Sequence, residues 1–313
     1  MRTSRQKITW TGTYYHLMNR IAGPKEGHHP FTRSDKEHGF GLIREACRYF
    51  LVEVISAAWM GNHFHIVVYA PSELPGPEAV AARYNAFFGE RREPLDPSDA
   101  ALCRKIGREM IDISSFMKWY QQKFSSWYNH VRDRRGGLWA DRFRSTILEG
   151  ENALWSAVKY VELNPVRAGL ASDPGDYRFT SWGRFCGTGT HPFETNFVRH
   201  LRRSRFGSES RMGAKDVLRL FDEELARTVA GEKGQAGKAL DRAAEVSKPD
   251  GMRVRFLRRT RHFTDGAIIG SATFVLETAA RLRGVKKLSH RLCGGTSPSG
   301  ENLFCFRRLR TEE

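Results

Sequence analysis

The chain has 313 residues, with 51 Lys and Arg against 35 Asp and Glu and a formal net charge of +16. This basic excess favours a polyanionic partner, most simply nucleic acid. No apolar run approaches the roughly 18 residues that a membrane span requires, so we expect no membrane association. The five cysteines are scattered and support neither a disulfide framework nor a zinc site. The polar, basic start does not predict a secretory signal, so we expect a cytoplasmic protein.

The first part of the chain alternates between strand and helix patterns. Residues 13–19 are rich in aromatic and β-compatible side chains and predict a strand. Residues 34–50 carry an apolar stripe at helical spacing and predict a helix capped by Ser34. Residues 51–58 and 63–69 predict two more strands joined by a hairpin turn. This succession is typical of an α+β sandwich.

The middle of the chain has a less regular pattern. Residues 72–108 contain several prolines and predict a surface insertion with one short helix. A long helix over 109–132 and a strand over 138–149 follow. The next helix is predicted over 151–164, where Pro165 ends it because a proline disfavours helical geometry in the residue before it.

A His-x-His pair in an apolar strand is the first candidate for chemistry. His63 and His65 are two residues apart, so on a strand both imidazoles project from the same face, as two ligands of one divalent metal must. A pattern this short also arises by chance, with both histidines serving as ordinary polar residues. The pair by itself leaves both interpretations open.

The second candidate lies on the predicted helix over 151–164. Tyr160 and Asn164 are one turn apart there, at the edge of the apolar stripe. This placement suits a tyrosine that packs against a sheet and presents its hydroxyl, with an amide reaching the same spot. The alternative is a boundary tyrosine followed by an Asn-Pro helix end.

Four ordered motifs carry a resemblance to a known family. In chain order they are YHLMNR at 15–20, WMGNHFH at 59–65, GLWADRF at 137–143 and YVELNPVRAGL at 160–170. Their order and spacing resemble those of the single-tyrosine HUH transposases, and most of all the REP-associated tyrosine transposase branch. The resemblance covers about residues 8–185.

This resemblance implies a ferredoxin-like α+β fold, in which a central antiparallel sheet presents the histidines and a helix brings the tyrosine to them. It implies that His63, His65 and Asn164 bind Mg²⁺ or Mn²⁺ and that Tyr160 is the nucleophile. A phenol with a pKa of about 10 is a weak nucleophile at neutral pH, which agrees with the need for a metal. The implied reaction cuts single-stranded or hairpin DNA and leaves a 5′-phosphotyrosine and a free 3′-hydroxyl. A homodimer is expected from the resemblance alone.

Two groups of arginines are candidates for DNA binding, because basic side chains bind phosphates and neighbouring aromatic faces can stack on bases. The candidates are Arg132, Arg134, Arg135, Arg142 and Arg144 in the middle of the chain, and Arg253, Arg255, Arg258 and Arg259 near its end. We assign most aromatic residues of the predicted helix over 109–132 to packing, as is usual at helical spacing.

The sequence divides into three predicted regions. A transposase-like domain covers 1–190, a helical or linker region covers 191–251, and a small basic module covers 252–313. The last region is either an accessory DNA-recognition module or a solvated basic tail, and its apolar residues favour the module.

The sequence is compatible with three functions. The leading hypothesis is a metal-dependent DNA strand transferase. The second is a domesticated protein that recognises palindromic repeats without cutting them. The third is a metal phosphoesterase that uses water and forms no covalent adduct.

Overall fold

Seven strands form one mixed sheet in the part of the chain that the structure describes. The structure is a computed structural model that describes residues 6–23, 29–245, 263, 266–283, 292–296 and 302–307. The strands are β1 (Thr13–Arg20), β2 (Glu53–Trp59), β3 (His63–Ala70), β4 (Arg144–Leu148), β5 (Gly266–Gly270), β6 (Leu292–Thr296) and β7 (Asn302–Arg307). Their order is β2-β3-β1-β4-β5-β7-β6, and all neighbours are antiparallel apart from β4 and β5. This agrees with the predicted α+β class.

The helices lie between these strands and on both faces of the sheet. They are α1 (Arg33–Tyr49), α2 (Pro77–Phe88), α3 (Ala100–Met110), α4 (Ile113–Val131), α5 (Asn152–Glu162), α6 (Asn164–Arg167), α7 (Ser181–Thr188), α8 (Glu194–Phe206), α9 (Ala214–Glu245) and α10 (Ala272–Arg283). Of the helices in the described ranges, none has the length and apolar character needed to cross a bilayer.

Helix α1 begins with a reciprocal cap that the sequence prediction placed wrongly. The Thr32 hydroxyl accepts from the backbone N–H of Asp35 at 3.3 Å, and the Asp35 carboxylate accepts from the Thr32 N–H at 2.7 Å. This is a capping box, so Thr32 caps the helix and Ser34 lies inside its first turn. The predicted insertion over 72–108 contains α2 and most of α3, where the sequence predicted one helix. Asp99 caps α3 by accepting from the Leu102 N–H at 2.9 Å.

The chain stays helical beyond Pro165, where the sequence predicted an end. Helix α5 ends at Glu162, and α6 begins at Asn164 with Pro165 in its first turn. A proline at that position is tolerated because its missing N–H would have no partner within the helix. Asn164 therefore keeps its place about one turn beyond Tyr160.

One face of the sheet holds a core built on α1 and α4. Tyr15 and Leu17 of β1 point to this face and are buried. Phe116, Tyr120 and Phe124 of α4 are fully buried in the same core. Their assignment to packing is confirmed.

The opposite face is covered by α5 and by the helices that follow it. Leu154, Val158 and Val161 of α5 are fully buried in a second core there. Because side chains alternate along a strand, His63 and His65 project from this face of β3. The fold thus places the His-x-His pair beneath the helix that carries Tyr160.

The described part of the C-terminal region extends the central sheet. Strand β5 pairs in parallel with β4, with Ile147 opposite Ile268 and Leu148 opposite Ile269. Ile268 and Phe306 are fully buried in the core that α1 and α4 cover. The division into three regions stays a prediction.

Candidate functional site

Three histidines lie together on the face of the sheet beneath α5. The ring centroids of His63 and His65 are 4.9 Å apart, and their planes are nearly perpendicular. His16 projects from β1 beside them, with its Nε2 atom 2.9 Å from Nδ1 of His65. Nδ1 of His16 in turn lies 3.0 Å from the carbonyl oxygen of Phe263.

Each ring of the His-x-His pair makes a hydrogen bond through its Nδ1 atom. Nδ1 of His63 lies 2.6 Å from Oδ1 of Asn62, an atom that only accepts, so this ring carries its proton on Nδ1 and a lone pair on Nε2. His65 is 1% exposed, and its Nε2 is buried without a hydrogen-bond partner among the described residues. An orphaned ring nitrogen in a buried site fits a metal ligand.

The environment keeps these imidazoles neutral. Loss of solvation lowers the pKa of His16 and that of His63 to about 4 each, and neighbouring Arg20 adds to the effect at His63. Burial, and then the nearby His63, lower the pKa of His65 well below its usual value. Neutral imidazole is the form that binds a metal, so no proton has to be removed first.

Helix α5 brings Tyr160 to this cluster. The Tyr160 ring centroid is 5.6 Å from that of His65 and 5.8 Å from that of His16, both edge-on. The Phe263 ring stacks on the Tyr160 ring at 4.9 Å, and the Arg167 guanidinium lies 5.4 Å from the Tyr160 ring centroid. The predicted nucleophile and one predicted ligand therefore share one site.

Polar contacts fix α5 against the rest of the fold. Glu162 is fully buried and accepts from the Ser56 hydroxyl at 2.7 Å and from the Trp182 N–H at 2.9 Å. On the outer side of the helix, the Lys159 ammonium pairs with the Glu224 carboxylate at 2.9 Å. These contacts join α5, the helix that carries Tyr160, to β2, α7 and α9.

Asn164 is less clearly associated with the histidines than Tyr160, whose ring contacts those of His16 and His65. Its side-chain nitrogen is buried and has no hydrogen-bond partner in the described ranges. No hydrogen bond between described residues joins its side chain to His63 or His65. Nor do the described residues contain a group of three or more His, Cys, Asp or Glu that could hold a metal. The structure thus brings His63 and His65 together, while their role as metal ligands, and that of Asn164, stays a prediction.

The arginines after α4 are largely committed to local contacts. Arg132 forms an ion pair with the buried carboxylate of Asp35 at 2.5 Å and stacks over the Tyr128 ring at 3.9 Å. Arg134 donates to the carbonyl of Gly137 at 3.0 Å. Arg135 is exposed. Since Asp35 offsets its charge, Arg132 is poorly suited to hold a phosphate.

The later arginines of this group lie nearer the histidines. Arg144 of β4 is opposite Met18, which is itself opposite His65, so all three lie in one row across the sheet. Alternation places the Arg144 side chain on the histidine face, where it is exposed. Arg20 ends β1 directly opposite His63. Arg142 is also exposed.

The second predicted group, at Arg253, Arg255, Arg258 and Arg259, lies outside the described residues.

Sequence reasoning assigned no role to three residues of this site, His16, Arg20 and Phe263. His16 and Arg20 belong to the YHLMNR motif, where a histidine in an otherwise apolar strand was a usable signal. No local pattern distinguishes Phe263, since it reaches the site only through tertiary packing.

Comparison with known proteins yields one weak structural likeness. No family model and no curated protein matches the chain. The fold is similar to a solved structure described as a REP-associated tyrosine transposase bound to a REP hairpin, with a TM-score of 0.40 and 14% identity. The match covers 61% of this chain and 90% of that chain. A likeness at this level assigns the chain to no family.

Proposed function

We propose that this protein is a metal-dependent transposase, a strand transferase that cleaves single-stranded or hairpin DNA through a 5′-phosphotyrosine. One observation carries the proposal. The neutral imidazoles of His63 and His65 lie on one face of the sheet, and the helix that covers this face carries Tyr160, whose ring centroid is 5.6 Å from that of His65. A DNA-binding module needs no such arrangement, whereas a covalent phosphoryl transfer needs both parts of it.

We assign to His63 and His65 the Mg²⁺ or Mn²⁺ ion that the sequence resemblance implies, with the Asn164 amide as the candidate third ligand. The orphaned, buried Nε2 of His65 supports this assignment. When bound, the ion polarises the scissile phosphate and stabilises the negative charge that develops on it.

Tyr160 supplies the attacking oxygen. Its phenolic oxygen forms a bond to phosphorus, and the bond between phosphorus and the 3′-oxygen breaks. The electron pair of that bond goes to the 3′-oxygen, which takes up a proton, while the phenolic proton is lost to solvent. Attack by a second 3′-hydroxyl reverses the step and joins a new strand. The phosphodiester energy is retained in the covalent intermediate, so no nucleotide cofactor is required.

Arg20 and Arg144 are two basic residues on the histidine face of the sheet that could hold the DNA backbone beside this site. Arg20 lies opposite His63, and Arg144 lies in the cross-strand row of His65. Removing one phosphate contact of this kind reduces, by about 1, the magnitude of the slope of log affinity against log salt concentration. Arg20→Ala and Arg144→Ala should each show that change, and Arg135→Ala tests the more distant part of the group.

The sheet topology supports the ferredoxin-like arrangement. The order β2-β3-β1-β4, with helices between β1 and β2 and between β3 and β4, agrees with the ferredoxin-like sandwich that the sequence resemblance implies. The homodimer stays a prediction, which light scattering of the full chain would check.

The test is covalent capture. Purified protein is incubated with Mn²⁺ and labelled single-stranded hairpin oligonucleotides, and the products are separated under denaturing conditions. Wild type should form a denaturation-resistant adduct, and Tyr160→Phe should form none. Tyr69→Phe is the matched control, because it removes the hydroxyl of another tyrosine from the same face of the sheet and should leave the adduct unchanged.

Each competing function has its own outcome. Hairpin binding without cleavage, with any metal tried, favours the domesticated DNA-binding protein. Cleavage without an adduct favours the phosphoesterase. An adduct that persists in Tyr160→Phe shows that another residue is the nucleophile.

A further inference from the structure

The contacts of His16 determine which of its nitrogens carries a proton. Nδ1 of His16 faces the Phe263 carbonyl oxygen at 3.0 Å, and a carbonyl oxygen can only accept. Nδ1 is therefore the protonated nitrogen. In the neutral ring, Nε2 then carries a lone pair and can only accept.

This lone pair in turn determines the tautomer of His65. Nε2 of His16 is 2.9 Å from Nδ1 of His65, so the His65 nitrogen must be the donor. The proton is then absent from Nε2 of His65, the same atom that is buried without a hydrogen-bond partner among the described residues. His16 is itself 1% exposed, so its contact with His65 is shielded from bulk solvent.

We propose that His16 is a positioning residue, which holds His65 in the Nδ1–H tautomer and so directs the Nε2 lone pair of His65 toward the metal. The inference rests on the proposed function, because the metal is the one proposed there. Histidine ligands are commonly fixed by an acceptor on their second nitrogen, and loss of that acceptor lowers metal affinity by about 10- to 100-fold.

The two ligands are fixed in different ways. The tautomer of His63 is determined by its sequence neighbour, Asn62, at 2.6 Å. That of His65 depends on a relay across the sheet, from the Phe263 main chain through the His16 side chain. Substitution of His16 should therefore disturb His65 and leave His63 unchanged.

Two measurements on the full chain at pH 7.5 test this role. Imidazole ¹⁵N spectra of the metal-free protein report the tautomer of each histidine, and electron paramagnetic resonance of free Mn²⁺ gives the Mn²⁺ dissociation constant. Wild type should show the Nδ1–H tautomer at both His16 and His65. His16→Phe keeps a ring of similar size but removes the acceptor, so the Nε2–H form of His65 should gain population and the dissociation constant should rise about 10- to 100-fold.

Two further variants complete the design. His16→Gln retains an acceptor oxygen and should restore part of the Nδ1–H population and of the affinity. His191→Phe makes the same exchange at another buried histidine, whose ring packs on Phe197 at 4.3 Å, and should leave both measurements at the wild-type values.

The role is overturned if wild-type His65 carries its proton on Nε2, or if His16→Phe folds with tautomer and affinity unchanged. If His16→Phe does not fold, the wild-type spectrum and His16→Gln decide the question. Failure of the proposed function is distinguishable, because wild type would then bind no Mn²⁺ and form no DNA adduct, while the His65 tautomer would still respond to His16.

Discussion

Glu162 links the stability of the fold around α5 to pH. This carboxyl is fully buried between α5, β2 and α7, and burial raises its pKa from 4.5 to about 7 against the opposing effect of its hydrogen bonds. The folded state therefore holds a proton on Glu162 at pH values where the unfolded chain has released it. The stability it contributes is fully present below pH 4.5 and is lost as pH rises through about 7.

The magnitude follows from the pKa difference. At 1.36 kcal/mol per pKa unit, the shift is worth about 3 kcal/mol in total, most of which falls between pH 5 and pH 8. Glu162→Gln keeps the shape of the side chain but does not ionise. We therefore expect the unfolding free energy of wild type, relative to Glu162→Gln, to fall by about that amount over this range.

The assay is urea unfolding of both proteins at pH 5 and pH 8. Subtracting the variant removes the contributions of all other titrating groups, including the buried histidines. A difference that stays constant, or that grows with pH, would show that the Glu162 carboxyl ionises as readily in the folded protein as in the unfolded chain. The account of its burial would then be refuted.

Three other predictions concern packing and charge. Gly183→Ala should cost about 2–3 kcal/mol of unfolding free energy, because its Cβ would lie 2.0 Å from a backbone oxygen, whereas Gly187→Ala in the same helix meets nothing within 4 Å and should be neutral or slightly stabilising. Glu224→Ala should cost about 3 kcal/mol, because it leaves the buried Lys159 ammonium unpaired and also removes the ion pair with Arg205, and Lys159→Met combined with Glu224→Leu should recover the part that is due to Lys159. Urea unfolding measures both changes in unfolding free energy. His191 is buried with its pKa lowered to about 3, so wild type should lose about 2 kcal/mol relative to His191→Phe between pH 8 and pH 5.

Local patterns in the sequence predicted most elements near the site. Side-chain alternation located β3, and the helical stripe located α5, with errors of a few residues at their ends. The clearest errors concerned where helices begin and end, because neighbouring residues compete for the capping and first-turn positions. Thr32 replaces Ser34 as the cap, because Thr32 and Asp35 exchange hydrogen bonds across the first turn, and Pro165 fits the first turn of a new helix.

The sequence by itself determined that His63 and His65 share a strand face and that Tyr160 lies on an amphipathic helix, since both follow from the periodicity of a single element. Only the tertiary structure decided which groups meet. His16 contacts His65 because of strand register, and Phe263 stacks on Tyr160 although 103 positions separate them in the sequence. Such contacts depend on how the sheet and its covering helices pack, and no pattern within one element encodes them.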